Sequence, residues 1–107
     1  MKFNFMDSEY EIRFVKGTYR NNGNLYVGIE NLDEEEGWCN FCDITVNFPE
    51  NCPEGCGFLK VSDLSKEVYL LIRPYIKETG RVMENGFAKY PEVCFEKAFL
   101  DSATELC

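Results

Sequence analysis

Hydrophobic and polar residues alternate along the first half of the chain, which is the pattern of half-buried β-strands. Asn and Gly tolerate positive φ, so the run from Asn21 to Asn24 predicts a turn between two of these strands. Pro49 cannot donate a hydrogen bond to a sheet and closes the last long strand. Strands are predicted at residues 3–5, 9–14, 25–30, 43–48 and 58–61.

The middle of the chain changes from a period of two to the helical period. Ser62 and Asp63 are good N-caps, and Pro74 removes an amide donor, so we expect one helix that ends near Arg73. Its apolar stripe has the i, i+4, i+7, i+8 and i+11 spacing of a face that packs on a core. The stripe consists of Leu64, Val68, Leu71, Ile72 and Tyr75.

The last third is less regular, with short extended segments expected at residues 81–83, 87–90 and 93–95. The tail after them is open to either a strand or a helix. We therefore predict an α+β fold, in which one antiparallel β-sheet is packed with one main α-helix. With 107 residues, the chain is expected to form a single domain over residues 1–107.

Composition narrows the class of protein. The formal charge is −8, which disfavours binding to nucleic acid or to anionic lipid and favours a basic protein partner. An acidic surface that only keeps the protein soluble is the alternative. The first residues lack the apolar stretch of a secretory signal, and no window is long enough to span a membrane, so we expect a cytoplasmic protein.

The chain contains no histidine. This excludes a histidine general base and the Ser-His and Cys-His nucleophile pairs. No phosphate-binding glycine loop, G-x-S-x-G or H-E-x-x-H motif is present either. We therefore expect that the protein is not an enzyme.

Four cysteines lie close together in the middle of the chain, in the order C-x2-C, nine residues, C-x3-C. Two short thiol pairs of this kind can supply the four ligands of a tetrahedral zinc ion, at about 2.3 Å each. Four thiolates close the coordination sphere, so the predicted zinc, one per chain, is structural. The predicted ligands are Cys39, Cys42, Cys52 and Cys56.

The predicted zinc ion would join the two cysteine pairs into a zinc-stapled loop region, and the chain between the pairs must bend to allow this. A six-residue strand separates the two pairs by roughly 20 Å, so the segment from Pro49 to Cys56 must turn back toward Trp38. An iron–sulfur cluster, or cysteines that are reduced or paired as disulfides, are the alternatives. Of the other two cysteines, Cys94 lies in an apolar stretch and is expected in the core, and Cys107 is expected to be a free thiol.

Short motifs spread over nearly the whole chain carry a family resemblance. The chain resembles a family of proteins of about 110 residues and unassigned function that are carried on bacterial conjugative elements, plasmids and phages. The motifs are Glu9-Tyr10-Glu11-Ile12, Tyr19 with Asn22-Gly23-Asn24-Leu25, Asp43-Ile44-Thr45-Val46-Asn47-Phe48-Pro49, Thr79-Gly80-Arg81 and Asn85-Gly86-Phe87-Ala88-Lys89-Tyr90-Pro91.

The resemblance implies an anti-CRISPR protein that acts in the bacterial cytoplasm on a type II RNA-guided CRISPR–Cas nuclease. Such nucleases hold nucleic acid in basic channels, so an acidic domain can compete with DNA there. The alternative is a mobile-element accessory protein that binds another basic partner, in conjugation or replication machinery. The expected contacts are Asp33, Glu34, Glu35 and Glu36, followed by Asp7, Glu9 and Glu11.

Overall fold

The computed structural model describes residues 1–61 and 64–106, and these residues form two antiparallel sheets with two short helices. The strands are β1 (Lys2–Phe5), β2 (Ser8–Thr18), β3 (Leu25–Asp33), β4 (Gly37–Asp43), β5 (Thr45–Val46), β6 (Cys56–Leu59), β7 (Ile76–Asn85), β8 (Ala88–Phe95) and β9 (Thr104–Glu105). The helices are α1 (Lys66–Ile72) and α2 (Lys97–Ser102), and a 3₁₀ turn (Arg73–Tyr75) follows α1.

The first sheet has the order β1-β2-β3-β4, and its neighbouring strands are antiparallel. Strand β9 also joins this sheet, where it runs parallel to β2 and pairs Thr104 with Val15. The second sheet has the order β5-β6-β8-β7 and is antiparallel throughout.

The chain passes from the first sheet to the second at Ile44, which is completely buried. The Ile44 amide donates to the Val27 carbonyl oxygen in β3, and its own carbonyl oxygen accepts from the Lys60 amide beyond β6. The strand predicted at residues 43–48 is therefore cut in two. Its first residue ends β4 in one sheet, and only Thr45–Val46 continue in the other.

The hydrophobic core lies between the two sheets and the helices. Strand residues Ile12, Ile29 and Val93 contact it from both sheets, and Val68 and Ile72 of α1 complete it. Each of these side chains is buried, which stabilises the fold by about 1.5–3 kcal/mol per large aliphatic group. Around Phe99 of α2, an aromatic cluster adds Phe14, Tyr75 and Phe95.

The predicted α+β fold with one main helix and a zinc-stapled loop is wrong. Helix α1 has only seven residues, and most of the described chain lies in the two sheets. Pro74 does end the helix as predicted, because α1 stops at Ile72 and the 3₁₀ turn follows. The apolar stripe from Leu64 to Tyr75 therefore covers a short helix, its approach and the turn after it.

The start of α1 differs from the prediction too. The predicted caps, Ser62 and Asp63, lie outside the described residues. The Ser65 side chain accepts a hydrogen bond from the Val68 amide at 3.2 Å, so Ser65 caps the helix. None of the helices in the described part of the chain is long and apolar enough to cross a membrane.

Candidate partner-binding site

The first sheet brings two acidic turns of the chain to one of its ends. Strands β1 to β4 follow each other in sequence, so the β1–β2 turn and the β3–β4 turn lie at the same end of the sheet. Ile12 pairs with Asn31, and the residues of β2 that precede Ile12 extend toward this same end. We call this surface the acidic end. Its acids are Asp7, Glu9, Glu11, Asp33, Glu34, Glu35 and Glu36.

Asp33 organises the β3–β4 turn. Its Oδ1 accepts hydrogen bonds from the Glu35 amide at 2.8 Å and the Glu36 amide at 2.9 Å. These amides lower the pKa of the Asp33 carboxyl below its usual value, so Asp33 is held in its charged form. The three following carboxylates, of Glu34, Glu35 and Glu36, are all exposed.

The β1–β2 turn places Asp7 beside an exposed methionine. Phe5 pairs with Ser8, so Met6 and Asp7 form a two-residue loop, and both have positive φ, at 49° and 65°. Two positive φ values are typical of the tight turns that match the twist of a hairpin. The Met6 side chain is 79% exposed, and Leu32 of β3, at 47%, is also exposed toward this end.

Few cations balance the charge of the acidic end. The amino group of Met1 donates a hydrogen bond to Glu11 Oε2 at 2.6 Å. This bond lowers the pKa of the Glu11 carboxyl, and the amino group balances its charge. Lys2 lies 3.9 Å from Glu9, and both side chains are exposed. Six acids of this end are therefore exposed, namely Asp7, Glu9, Asp33, Glu34, Glu35 and Glu36.

Arg13 of β2 has a carboxylate partner that is not one of these acids. Arg13 Nε donates to Glu30 Oε1 at 2.9 Å, and its guanidinium lies 4.3 Å from the centre of the Trp38 ring. The Arg13 guanidinium thus balances the charge of the Glu30 carboxylate and packs on the Trp38 ring. The acidic end keeps a net negative charge and also exposes two apolar side chains, those of Met6 and Leu32.

The structure separates the four cysteines that the sequence predicts as zinc ligands. Cys39 and Cys42 lie on β4, and Cys52 lies in the segment between β5 and β6. Cys56 is bonded to Cys94 in a disulfide between the paired strands β6 and β8. Among residues 1–61 and 64–106, no group of three or more Cys, Asp or Glu side chains is arranged to hold a metal ion.

The prediction of a zinc-stapled loop is therefore wrong, for two physical reasons. A disulfide sulfur is not a thiolate ligand, so Cys56 is not available. The segment after Pro49 does not turn back toward Trp38. The Glu50 carbonyl oxygen accepts from the Asn24 side chain and the Cys52 amide donates to that side chain, and Asn24 precedes β3 at the end opposite Leu32, the strand partner of Trp38. Binding of zinc by the other thiols stays a prediction. Cys94 is half-buried in the disulfide, and Cys107 lies outside the described residues.

Within the described residues, the free thiols are those of Cys39, Cys42 and Cys52. Burial is the main cause that raises the pKa of each, to about 11 for Cys42 and for Cys52. A hydrogen bond with the Glu92 carboxylate also raises the pKa of Cys52. At neutral pH these groups are protonated and are weak nucleophiles.

A polar cluster under the second sheet was missed by sequence reasoning. Glu92 is 3% exposed, and its carboxylate accepts from the Thr79 hydroxyl at 2.7 Å and from Arg81 Nη1 at 3.4 Å. Thr79 and Arg81 reach it because the register of β7 shifts between Glu78 and Val82. In the described residues, no buried side-chain oxygen or nitrogen lacks a hydrogen-bond partner. The bonds of Glu92 to Thr79 and Arg81 therefore join the irregular part of β7 to β8.

One signal in the sequence could have pointed to this cluster. Glu92 lies next to the apolar run Val93-Cys94-Phe95, and an acid that is buried beside such a run requires a cation or a hydrogen-bond donor. The arginine of the Thr79-Gly80-Arg81 motif supplies it.

The comparisons with known proteins identify the family and leave its activity open. The chain belongs to the family described as a domain of unknown function, DUF4313, whose model matches residues 15–107. This confirms the prediction of a family with unassigned function. No curated protein and no solved structure matches the chain.

Proposed function

We propose that this protein is a protein-binding inhibitor that uses its acidic end to occupy a basic, nucleic-acid-binding surface of another protein. The observation that carries the proposal is the convergence of two separate acidic turns at one end of the first sheet. Among the salt bridges of the described residues, one of the six exposed carboxylates there, that of Glu9, has a partner, which is Lys2 at 3.9 Å.

The charge of the whole chain supports the same mode of binding. At a formal charge of −8, the protein is steered toward a positive surface and away from nucleic acid itself. The exposed side chains of Met6 and Leu32 would supply apolar contacts after the charges have oriented the partners. Carboxylates that face lysine and arginine side chains of a partner raise the rate of association and the specificity of the complex.

The partner that we infer is the effector nuclease of a type II CRISPR–Cas system in a bacterial cytoplasm. The inference rests on the resemblance to small proteins of mobile elements and on the basic channels of such nucleases. The acidic end would compete with the DNA phosphates for lysine and arginine side chains in a channel.

A cleavage assay tests the proposal. Purified chain is added in excess to the guide-loaded nuclease before target DNA, and cleavage and complex formation on gel filtration are measured. We expect loss of cleavage and co-elution with the nuclease. Unchanged cleavage together with separate elution would overturn the assignment of this partner.

A matched pair of variants tests the acidic end. The triple variant E34Q/E35Q/E36Q removes three charges at the acidic end, and E50Q/E54Q/E96Q removes three exposed charges elsewhere. We expect the first variant to lose at least tenfold in inhibition and the second to inhibit like the native chain. Equal losses would show that net charge alone matters.

A specific result would favour the other function. If the acidic end captures a basic protein of the conjugation or replication machinery and leaves the nuclease active, the chain is an accessory protein of a mobile element. The same pair of triple variants then tests whether this capture uses the acidic end.

A further inference from the structure

Large exposed hydrophobic side chains concentrate around the β7–β8 hairpin and α1, away from the acidic turns. Val61, Tyr69, Val82 and Phe87 are all at least 37% exposed. Val61 and Tyr69 line a groove together with Pro91, which is the strand partner of Val82. We call this surface the apolar side; it comprises Val61, Tyr69, Val82, Phe87, Pro91 and the groove beside them.

Phe87 is the most exposed of these residues. Asn85 pairs with Ala88, so Gly86 and Phe87 form the two-residue loop of a tight hairpin. Gly86 has a φ of +66°, in the left-handed region that glycine adopts without strain. Phe87 is 107% exposed, which means that the chain presents the whole aromatic ring to solvent from a short, ordered turn.

The groove lies beside this hairpin and is mainly apolar. It has a volume of about 490 Å³, and its apolar lining comes from Leu59, Val61, Leu64, Tyr69 and Pro91. Cavities of roughly 300–1,000 Å³ accept organic groups the size of small ligands, so an aromatic side chain fits. Phe87 itself does not line the groove of its own chain.

The charges around the groove are balanced, in contrast to the acidic end. Lys66, Lys89 and Glu78 line it, and Glu84 lies 3.9 Å from Lys89 across the hairpin. Among the described residues that line the groove or pair across the hairpin, these two lysines and two glutamates have charges that cancel. Two copies of a chain with a charge of −8 therefore meet here with less repulsion than at the acidic end, and the lysines of one copy can face the glutamates of the other.

We propose that the apolar side binds a second copy of this chain, with Phe87 of each copy in the groove of the other. A projecting ring and a groove on the same surface are complementary to themselves, which is the requirement of a twofold symmetric dimer. Burial of each ring removes apolar surface from water without a change in the fold. The dimer leaves both acidic ends free, so it is independent of the proposed inhibition.

Sedimentation equilibrium of the full chain, from roughly 1 to 500 µM, tests the dimer. The native chain is expected to pass from 12.4 kDa to twice that mass as its concentration rises. Phe87→Ser is expected to weaken dimerisation at least tenfold. The matched control is Met6→Ser, which removes an exposed side chain at the acidic end and should leave dimerisation within twofold.

A mixing experiment distinguishes a specific contact from general stickiness. Val61→Asp places a charge at the groove and should also abolish the dimer. Mixing it with Phe87→Ser should restore association in part, because the intact Phe87 of one variant then meets the intact groove of the other. Melting curves of each variant check that it is folded, and a non-reducing gel detects dimers linked through cysteine.

Three outcomes would overturn the proposal. They are a native chain that stays monomeric over the whole range, a Phe87→Ser dimer as tight as the native one, and folded variants whose mixture associates no better than either alone.

Discussion

The acidic end lies on the first sheet, whereas the apolar side lies on the β7–β8 hairpin of the second sheet and on α1, and the two surfaces present opposite chemistry. At the acidic end, carboxylates of Asp33 and its neighbours are exposed on turns that hydrogen bonds hold in place. On the apolar side, Phe87 and Tyr69 are exposed around a groove whose charges cancel. We propose that the first surface attracts a basic partner at long range and that the second makes short-range contacts with another copy of the chain.

Because their chemistry differs, the two surfaces should respond differently to salt. Attraction between exposed charges is screened over about 10 Å at 0.1 M salt, so binding through the acidic end should weaken as salt rises. Burial of Phe87 is a hydrophobic contact, and added salt should not weaken it. Measurements at two salt concentrations therefore separate the surfaces without any mutation.

The largest expected effect concerns the disulfide of the second sheet, which has no counterpart among the described residues of the first sheet. The disulfide joins residues 38 positions apart. The double variant Cys56→Ala/Cys94→Ala should therefore lose about 3 kcal/mol of unfolding free energy. Urea denaturation measures the loss. Reductant should lower the stability of the native chain by a similar amount and leave the variant unchanged; a native chain that is insensitive to reductant would contradict this account.

The two sheets also differ in how deeply they bury an ion pair. The Glu92 carboxylate is 4% exposed beside Arg81, while the Glu30 carboxylate is 16% exposed beside Arg13. Arg81→Met leaves a buried carboxylate without its cation and should cost about 2 kcal/mol. Arg13→Met, the matched variant in the first sheet, should cost about 1 kcal/mol. Chemical denaturation of both variants checks the order, and a reversed order would show that Glu92 is more hydrated than the structure indicates.

A smaller effect is expected at alkaline pH. The pKa values of Cys42 and Cys52 rise from an ordinary value of 9.0 to about 11 on folding. The folded state therefore keeps these two protons to a higher pH than the unfolded chain does. The contribution of the two thiols to the free energy of unfolding is complete below about pH 9 and is lost as the pH rises through about 11. The melting temperature should fall over this range.

The variant Cys42→Ala/Cys52→Ala tests the origin of this fall. It should show a shallower decrease between pH 9 and 11, although not a flat one, because burial also raises the pKa values of Tyr19 and Tyr26. An identical slope in the native chain and the variant would assign the whole effect to the tyrosines.

Alternation predicted the first three strands well, because the apolar side chains on one face of each strand contact the core. Strand β4 was missed, since its register shifts around Phe41 and the two cysteines beside that residue suggested a metal site. The helical stripe was real, but Pro74 limits α1 to seven residues. A stripe of apolar residues gives the period of a segment and does not give its length.

The sequence indicates the residues of the candidate sites better than it indicates which of them lie together. Charge can be read from the sequence, so the sequence alone indicates the acids from Asp33 to Glu36 as candidate contacts. Their meeting with Asp7 depends on strand order, which is tertiary information. The pairing of Cys56 with Cys94 and the burial of Glu92 both depend on the register of β6 and β8, which local spacing does not contain.

The most direct test of the central claim is the affinity of the chain for a guide-loaded type II nuclease, titrated at low and at high salt. We expect the affinity of the native chain to fall at least tenfold between about 50 and 500 mM salt. E34Q/E35Q/E36Q should bind weakly at low salt and show little further loss. Equal affinities of the native chain and the variant at low salt would contradict a role for the acidic end.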